Sequence, residues 1–388
     1  MSKKQTKIKE NKSVSDLSPE ALAKEEAKST FADCSLLTAI CKLPPVAEMM
    51  RDAGLEPKKQ LGQNFLFDLN LTRKIARAVP DIENSVVVEV GPGPGGLTRS
   101  LLECGAKKVI AIEKDRATEP ILRKIAAASD GRLEIVFGDA LNPLCPLWGR
   151  RGGIGEADDG VVGGGRSKHL PRLFASQGSA KIHPFPKGKG NYAICSNLPY
   201  NIGTELLIQW LHAMAPSSLV PHPSSLTLMF QREVAERIVA RVGDKQYGRL
   251  SVLTALVANA KILFNVPNTA FFPAPKVQSS VVQIIPKQFP PFLRGGGREA
   301  TGGELITNNL EQNSPHRAPR GAPLKEGGNK LPDLPKVEQI TAKLFGNRRK
   351  MIRSIMKDVD WTQFGLTGTE RAEELSPEKF LEIAARLP

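Results

Sequence analysis

The chain has 388 residues, 40% of them hydrophobic, enough for more than one domain around a real core. Its formal net charge of +14 points to a polyanionic partner such as nucleic acid, although charge alone leaves open a basic protein without one. Five cysteines and five histidines, scattered without metal-ligand spacing, exclude a zinc module and a disulfide framework, and no apolar stretch is long enough to span a bilayer.

Residues 1–43 read as a polar extension. Lys3, Lys4, Lys7, Lys9 and Lys12 have few apolar anchors, and residues 19–28 form a short helical stretch. This extension is either a solvated tail or a source of non-specific RNA affinity. It lacks the apolar centre of a secretory signal. Its lysines, mixed with Glu10, Asp16, Glu20, Glu25 and Glu26, do not match an Arg-rich, acid-poor presequence, so a cytoplasmic location is expected.

From Pro44 the pattern tightens. Residues 46–50 suit a short helix ending near Gly54. Asp68 is placed to cap the next helix, with Leu71, Ile75, Ala78 and Val79 on its apolar face and Arg73, Lys74 and Arg77 outside. Between them lies Lys58-Lys59-Gln60-Leu61-Gly62-Gln63-Asn64-Phe65-Leu66, which reads as a loop when taken alone. Val86-Val87-Val88-Glu89-Val90 is a strand running into Gly91-Pro92-Gly93-Pro94-Gly95-Gly96 and a helix through Leu101 and Leu102. Strand, glycine turn and helix form a nucleotide-type site, because glycines admit a ligand to the backbone and the helix start offers free amides. The prolines between the glycines depart from the dinucleotide fingerprint.

The second strand, residues 109–112, ends in Glu113, about 20 residues beyond the glycine turn, where an acid suits ribose hydroxyls. A third strand, residues 133–137, ends in Gly138-Asp139. A lone acid at a strand end is usually just solvated, but three such ends together outline a mononucleoside pocket. Residues 143–190 then read as a flexible basic insertion, rich in glycine with Arg150, Arg151, Arg166, Lys168, Lys181, Lys187 and Lys189. It is either an RNA contact or a tolerated insertion.

Tyr192-Ala193-Ile194-Cys195 is a buried strand that delivers Asn197-Leu198-Pro199-Tyr200 at its carboxyl end. An amide, a backbone carbonyl and an aromatic ring presented together suit methyl transfer to the exocyclic amine of an adenine. Two acceptors on the amine hydrogens, the Asn197 oxygen and a carbonyl of the Leu-Pro turn, would localise the nitrogen lone pair, and Tyr200 would stack on the base. An isolated tetrapeptide of this kind is more often a strand-terminating turn; the three preceding strand ends reverse that preference.

Further on, a helix through Leu206, Leu207, Trp210 and Leu211 covers the sheet, and residues 226–230 form a strand leading into residues 231–238, where Glu233 and Arg237 make a surface pair. Residues 260–266 and 279–285 are two closing strands. Between them Phe271-Phe272-Pro273-Ala274-Pro275-Lys276-Val277 is a stiff loop, either a hydrophobic plug or a second stacking wall. Residues 288–333 are a Gly/Pro-rich linker or insertion. The remainder is helical. Arg349, Arg353 and Lys357 fall on one face at helical spacing, a solvated face by default and a phosphate-contacting one beside a base-modifying site.

Gly62-Gln63-Asn64-Phe65-Leu66, Glu89-Val90-Gly91-Pro92-Gly93, Asn197-Leu198-Pro199-Tyr200-Asn201, the Phe271–Val277 loop and Asn347-Arg348-Arg349-Lys350 occur in this order. In this series the chain resembles the ribosomal RNA adenine dimethyltransferases, most of all the bacterial small-subunit (16S) branch. The resemblance covers roughly residues 45–385 apart from the two Gly-rich segments. It implies an α/β fold, a Rossmann-like seven-stranded class I methyltransferase sheet over 44–287, with a small C-terminal α-helical RNA-binding domain over 334–388. It implies S-adenosylmethionine as cofactor, held by Asn64, Leu66, Gly91, Glu113, Asp139 and Asn197, with Glu113 on the ribose and Asp139 on the adenine amine. Asn197, Pro199 and Tyr200 would hold the target, and Phe271 would stack opposite Tyr200. The implied partner is the small ribosomal subunit, met by a monomer without metal. The implied reaction is dimethylation of two adjacent adenosines near the 3′ end of its RNA. Two alternatives remain: the macrolide-resistance branch acting on large-subunit RNA, and an assembly factor that binds RNA without needing catalysis. A DNA adenine methyltransferase has a similar tetrapeptide and fits less well.

Overall fold

A run such as Val86 to Val90 has no side suited to water, so it needs cover on both faces, as the inner strands of a parallel sheet have. The computed structural model describes residues 38–57, 63–141, 192–215, 222–288 and 333–387, and places this strand in the middle of a seven-stranded sheet. The expectations for residues 1–37 of the N-terminal extension, for residues 58–62, for the 143–190 insertion, for nearly all of 288–333, and for Cys34 and Cys145 lie outside the described residues. Residues 38–43 of that extension are not a solvated tail, since Ile40 is buried in the core and Arg99 donates to Cys41 O.

In chain order, α1 (Thr38–Cys41) and α2 (Val46–Asp52) precede a two-residue strand β1 (Phe65–Leu66) and α3 (Leu69–Arg77). Asp68 caps α3 as its position predicts, accepting from the backbone N–H of Asn70 and Leu71. Next come β2 (Val86–Val90), α4 (Gly96–Glu103), β3 (Lys108–Glu113), α5 (Glu119–Ala127) and β4 (Leu133–Phe137). The second half has β5 (Tyr192–Asn197), α6 (Gly203–Met214), β6 (Ser225–Gln231), α7 (Arg232–Val239), α8 (Arg249–Val257), β7 (Ala258–Val266), β8 (Phe271–Phe272) and β9 (Ser279–Pro286). Helices α9 (Leu334–Phe345), α10 (Ile352–Ile355) and α11 (Pro377–Arg386) follow.

The sheet order is β4-β3-β2-β5-β6-β9-β7. The first five strands are parallel, and β9 slots antiparallel between β6 and β7. Side chains alternate across the sheet. Val88, Ile110, Ile194 and Leu228 join one apolar layer with α6 and α8, whereas Val87, Val109, Ala193 and Met229 join a second with α2, α3 and α4. Apolar residues of α9 and α11, including Val337, Leu344, Phe380 and Ile383, are continuous with the first layer. Polar contacts also seat this part of the chain: His212 and Arg249 both meet Glu338, and the Tyr247 hydroxyl donates to Leu375 O at 2.9 Å. Among the described residues no helix is long and apolar enough to cross a membrane.

One expectation fails here. Arg349, Arg353 and Lys357 do not share a helical face, because α10 has only four residues. Met351 is extended, with φ −64° and ψ 144°, and pairs with Arg371 in an isolated antiparallel bridge. Ile352 and Arg353 then donate backbone N–H to Glu370 O and Gly368 O. These bonds draw the chain sideways, so Arg349 precedes the helix and Lys357 follows it. All three cations are exposed. Arg348 is instead tied to Glu373 at 2.6 Å.

Candidate active site

The sheet changes direction of winding between β2 and β5, so the helices that follow these strands leave on opposite faces and a crevice opens beyond their carboxyl ends. An open cleft occupies that place. The ends of β2, β3, β4 and β5 all reach it, as does the Gln63–Leu66 segment.

One end of the cleft is built for a nucleoside. Gly91, Gly93 and Gly95 all have positive φ, which lets the turn curl away and leave its amides open. The turn is packed hard against β1: a Cβ on Gly93 would lie 2.7 Å from the Phe65 ring, and one on Gly96 would lie 2.5 Å from Leu66 O. Glu113 accepts backbone N–H bonds from Gly93, Lys114 and Asp115 at 2.9, 2.8 and 2.7 Å. Burial raises its pKa and these three donors oppose the rise, so the carboxylate is a fixed acceptor suited to hydroxyls. Asp139 lies across from it. One oxygen accepts from Leu141 N at 3.0 Å and the other pairs with the Lys114 ammonium at 2.8 Å, which holds its pKa below the usual range. It is thus ionised and able to accept from an exocyclic amine.

The other end carries the tetrapeptide. Asn197 Nδ2 donates to Asn64 O at 3.0 Å, which orients the amide and leaves its Oδ1 as an acceptor. Pro199 O is already engaged by the N–H groups of Ile202 and Gly203 at the start of α6, so the Leu198 carbonyl is the second acceptor the turn can offer. Pro199 also abuts Gly91, where a Cβ would come within 3.3 Å of its ring. The Tyr200 hydroxyl is 2.6 Å from Ser279 Oγ, which fixes the ring at the cleft wall.

The structure therefore gathers Asn64, Leu66, Gly91, Glu113, Asp139, Asn197, Pro199 and Tyr200 around one cleft. It does not bring Phe271 there. That ring is 5% exposed and joins the core, with its Cα paired to Leu66, whereas Phe272 is 56% exposed. Sequence reading also missed several supports. Glu89, fully buried at the cleft floor, takes a 2.6 Å hydrogen bond from Thr98, and burial pushes its pKa up to about 8. An acid inside a valine run was the available signal. Gln63, which bonds Asp115 at 3.2 Å, and Ser279 carried no signal of their own. Among the described residues no group of histidine, cysteine and acidic side chains is placed to hold a metal ion.

A sequence profile of the ribosomal RNA adenine dimethylase family matches residues 54–293. The chain is 40% identical over 349 residues to the ribosomal RNA small subunit methyltransferase A of a Chelativorans species, covering 89% of this chain and 98% of that protein. It is 41% identical over 350 residues to the protein of the same name from Brucella melitensis, with the same coverage. A dimethyladenosine transferase from Plasmodium falciparum shares the fold, with a TM-score of 0.53 at 22% identity over 82% of this chain and 95% of that one. The profile spans both the glycine turn and the tetrapeptide, and the identity extends over nearly the whole of the bacterial relatives. On that evidence the chain belongs to the ribosomal RNA adenine dimethylase family.

Proposed function

We propose that the protein dimethylates the exocyclic amine of two adjacent adenosines near the 3′ end of 16S ribosomal RNA, within the small subunit, using S-adenosylmethionine. The observation that carries this reading is the Asn197 amide, clamped by Asn64 O so that its oxygen is preset to accept. The names of the bacterial relatives support the small subunit as the substrate.

The cofactor fits the residues present. Glu113 would take the ribose hydroxyls, Asp139 the adenine amine, and the glycine turn admits the backbone to close approach. When bound, S-adenosylmethionine supplies an electrophilic methyl group on its sulfonium. The residues of the chain prepare the nucleophile. Asn197 Oδ1 and Leu198 O accept the two amine hydrogens, and the nitrogen lone pair leaves its conjugation with the purine. Tyr200, its hydroxyl held by Ser279, stacks on the base once it leaves its helix. No ionised base is needed at the tetrapeptide, because the nitrogen becomes acidic only after it gains the methyl group, and the open cleft gives its proton a path to water. Most of the acceleration comes from holding amine and methyl group in line.

The test is mass spectrometry of small-subunit RNA incubated with labelled cofactor, with Asn197→Ala in parallel. Dimethyladenosine at two adjacent 3′-terminal adenosines, lost in the variant, is the expected result. Label confined to large-subunit RNA, or none on either naked RNA or whole small subunits with cofactor binding intact, would refute it.

A further inference from the structure

The Phe271–Gln278 loop carries an exposed aromatic ring that the chemistry above does not use. Phe272 is 56% exposed, and Val277 on the same loop 44%. Large apolar groups left open beside a cleft mark a contact surface when they form a patch.

One end of this loop is tied to β1, which packs on the glycine turn, and the other to the tetrapeptide. At one end β8 pairs antiparallel with β1, setting Phe272 opposite Phe65 and Phe271 opposite Leu66. At the other end Ser279 holds the Tyr200 hydroxyl. Residues directly opposite in an antiparallel pair share a face, as do residues two apart on one strand. Phe272 therefore sits on the face of Phe65, a cleft-lining ring, and Phe67 lies beside it, with ring centroids 5.9 Å apart and planes at 30°. Phe67 backs one side of Phe272. The same loop carries an exposed cation, Lys276, and its far end is held by Arg232, which bonds Gln278 through its backbone N–H at 2.8 Å and its guanidinium at 3.3 Å while pairing with Glu236 at 2.9 Å.

We propose that Phe272, backed by Phe67 on a loop that also carries Lys276, is a stacking platform for an unpaired RNA base flanking the pair of target adenosines. An exposed ring on a basic loop is an arrangement by which proteins hold single-stranded RNA, with the ring taking the base and a cation the backbone. The inference rests on the reading of the protein as an RNA adenosine methyltransferase. It assigns to Phe272 a nucleotide that is not the one modified.

The test uses the full chain and an RNA carrying 2-aminopurine beside the pair of target adenosines. Stacking quenches this base analogue. The wild type should quench it, Phe272→Ala should lose the quench, and Phe272→Tyr should keep it. With unlabelled RNA, Phe272→Ala should raise KM for RNA about 5- to 100-fold, the range of one base stacked on an aromatic ring, with kcat and cofactor Kd within twofold. The unchanged cofactor Kd shows that the variant is folded. Unaltered quenching in Phe272→Ala, from an enzyme that still methylates, overturns the platform alone. A weakened affinity for whole subunits with unchanged affinity for naked RNA overturns it in favour of a protein contact. A wild type that binds cofactor but methylates neither this RNA nor small ribosomal subunits overturns the methyltransferase reading as well.

Discussion

Replacing Asn197 by alanine removes the Oδ1 acceptor and the bond from Nδ2 to Asn64 O. Loss of one preset polar contact to a transition state lowers kcat about 10²- to 10³-fold, or roughly 3–4 kcal/mol. The lost bond to Asn64 adds about 1 kcal/mol of looseness to the segment that leads into β1. Asn197→Asp is the sharper test. When protonated, the new carboxyl can donate to Asn64 O and still present an acceptor, as the amide does. When ionised it faces a carbonyl oxygen and has nothing to donate. That repulsion raises its pKa, so its activity relative to wild type should rise as pH falls, while Asn197→Ala stays low throughout. Single-turnover methylation at several pH values, with cofactor Kd measured alongside, gives both curves. If Asn197→Ala keeps more than half of the wild-type rate, or if Asn197→Asp tracks wild type in parallel at every pH, the clamped amide is not what prepares the amine.

Three further outcomes follow from the geometry. Glu89, with its pKa pushed up to about 8, keeps a proton when folded that the unfolded chain releases near pH 4–5. Its contribution to stability therefore falls as pH rises from about 5 to 8, and Glu89→Gln should gain on wild type by about 1.4 kcal/mol per unit there, with parallel unfolding curves refuting it. Gly96→Ala places a Cβ 2.5 Å from Leu66 O and should lower stability by about 1–3 kcal/mol in thermal unfolding; an unchanged Tm would mean that the turn and β1 are not in hard contact. Glu113→Gln turns an amide donor towards the N–H groups that the carboxylate now accepts, and should raise cofactor Kd by roughly 10- to 100-fold by calorimetry, a value within twofold counting against its role.

The parts of the site that lie at the ends of parallel strands were legible because such strands read as apolar runs and each ends in a glycine, an acid or an amide: Gly91, Glu113, Asp139 and Asn197. What joins them across the chain was not. Gln63-Asn64-Phe65-Leu66 reads as a loop until β1 meets β8, and that pairing is set by tertiary register with no local signal. The same register decides which phenylalanine of Phe271-Phe272 turns inward, since neighbours on a strand point to opposite faces; a family resemblance marks the pair but not the exposed member. The basic run around Arg349 failed for a comparable reason. Its spacing suits a helix, but Met351 is captured by Arg371 and the helix is cut to four residues. The Lys114–Asp139 pair joins groups 25 positions apart that only the strand order brings together.

The closure of β1 onto β8 also sets the order in which the protein becomes competent. Asn197 and Asn64 are 133 positions apart, and the Gln283 amide that holds Ala78 O reaches back 205. Contacts of such separation form late in folding and late in synthesis, because the chain between them must be made and its loop closed first. The strand ends that serve the nucleoside are all translated before residue 141, whereas Phe272 and Ser279 leave the ribosome near the end of the sheet. On a nascent chain the cofactor end can therefore take shape before the RNA end exists, so an unfinished copy of this enzyme lacks the surface for gripping RNA on the machine that is making it.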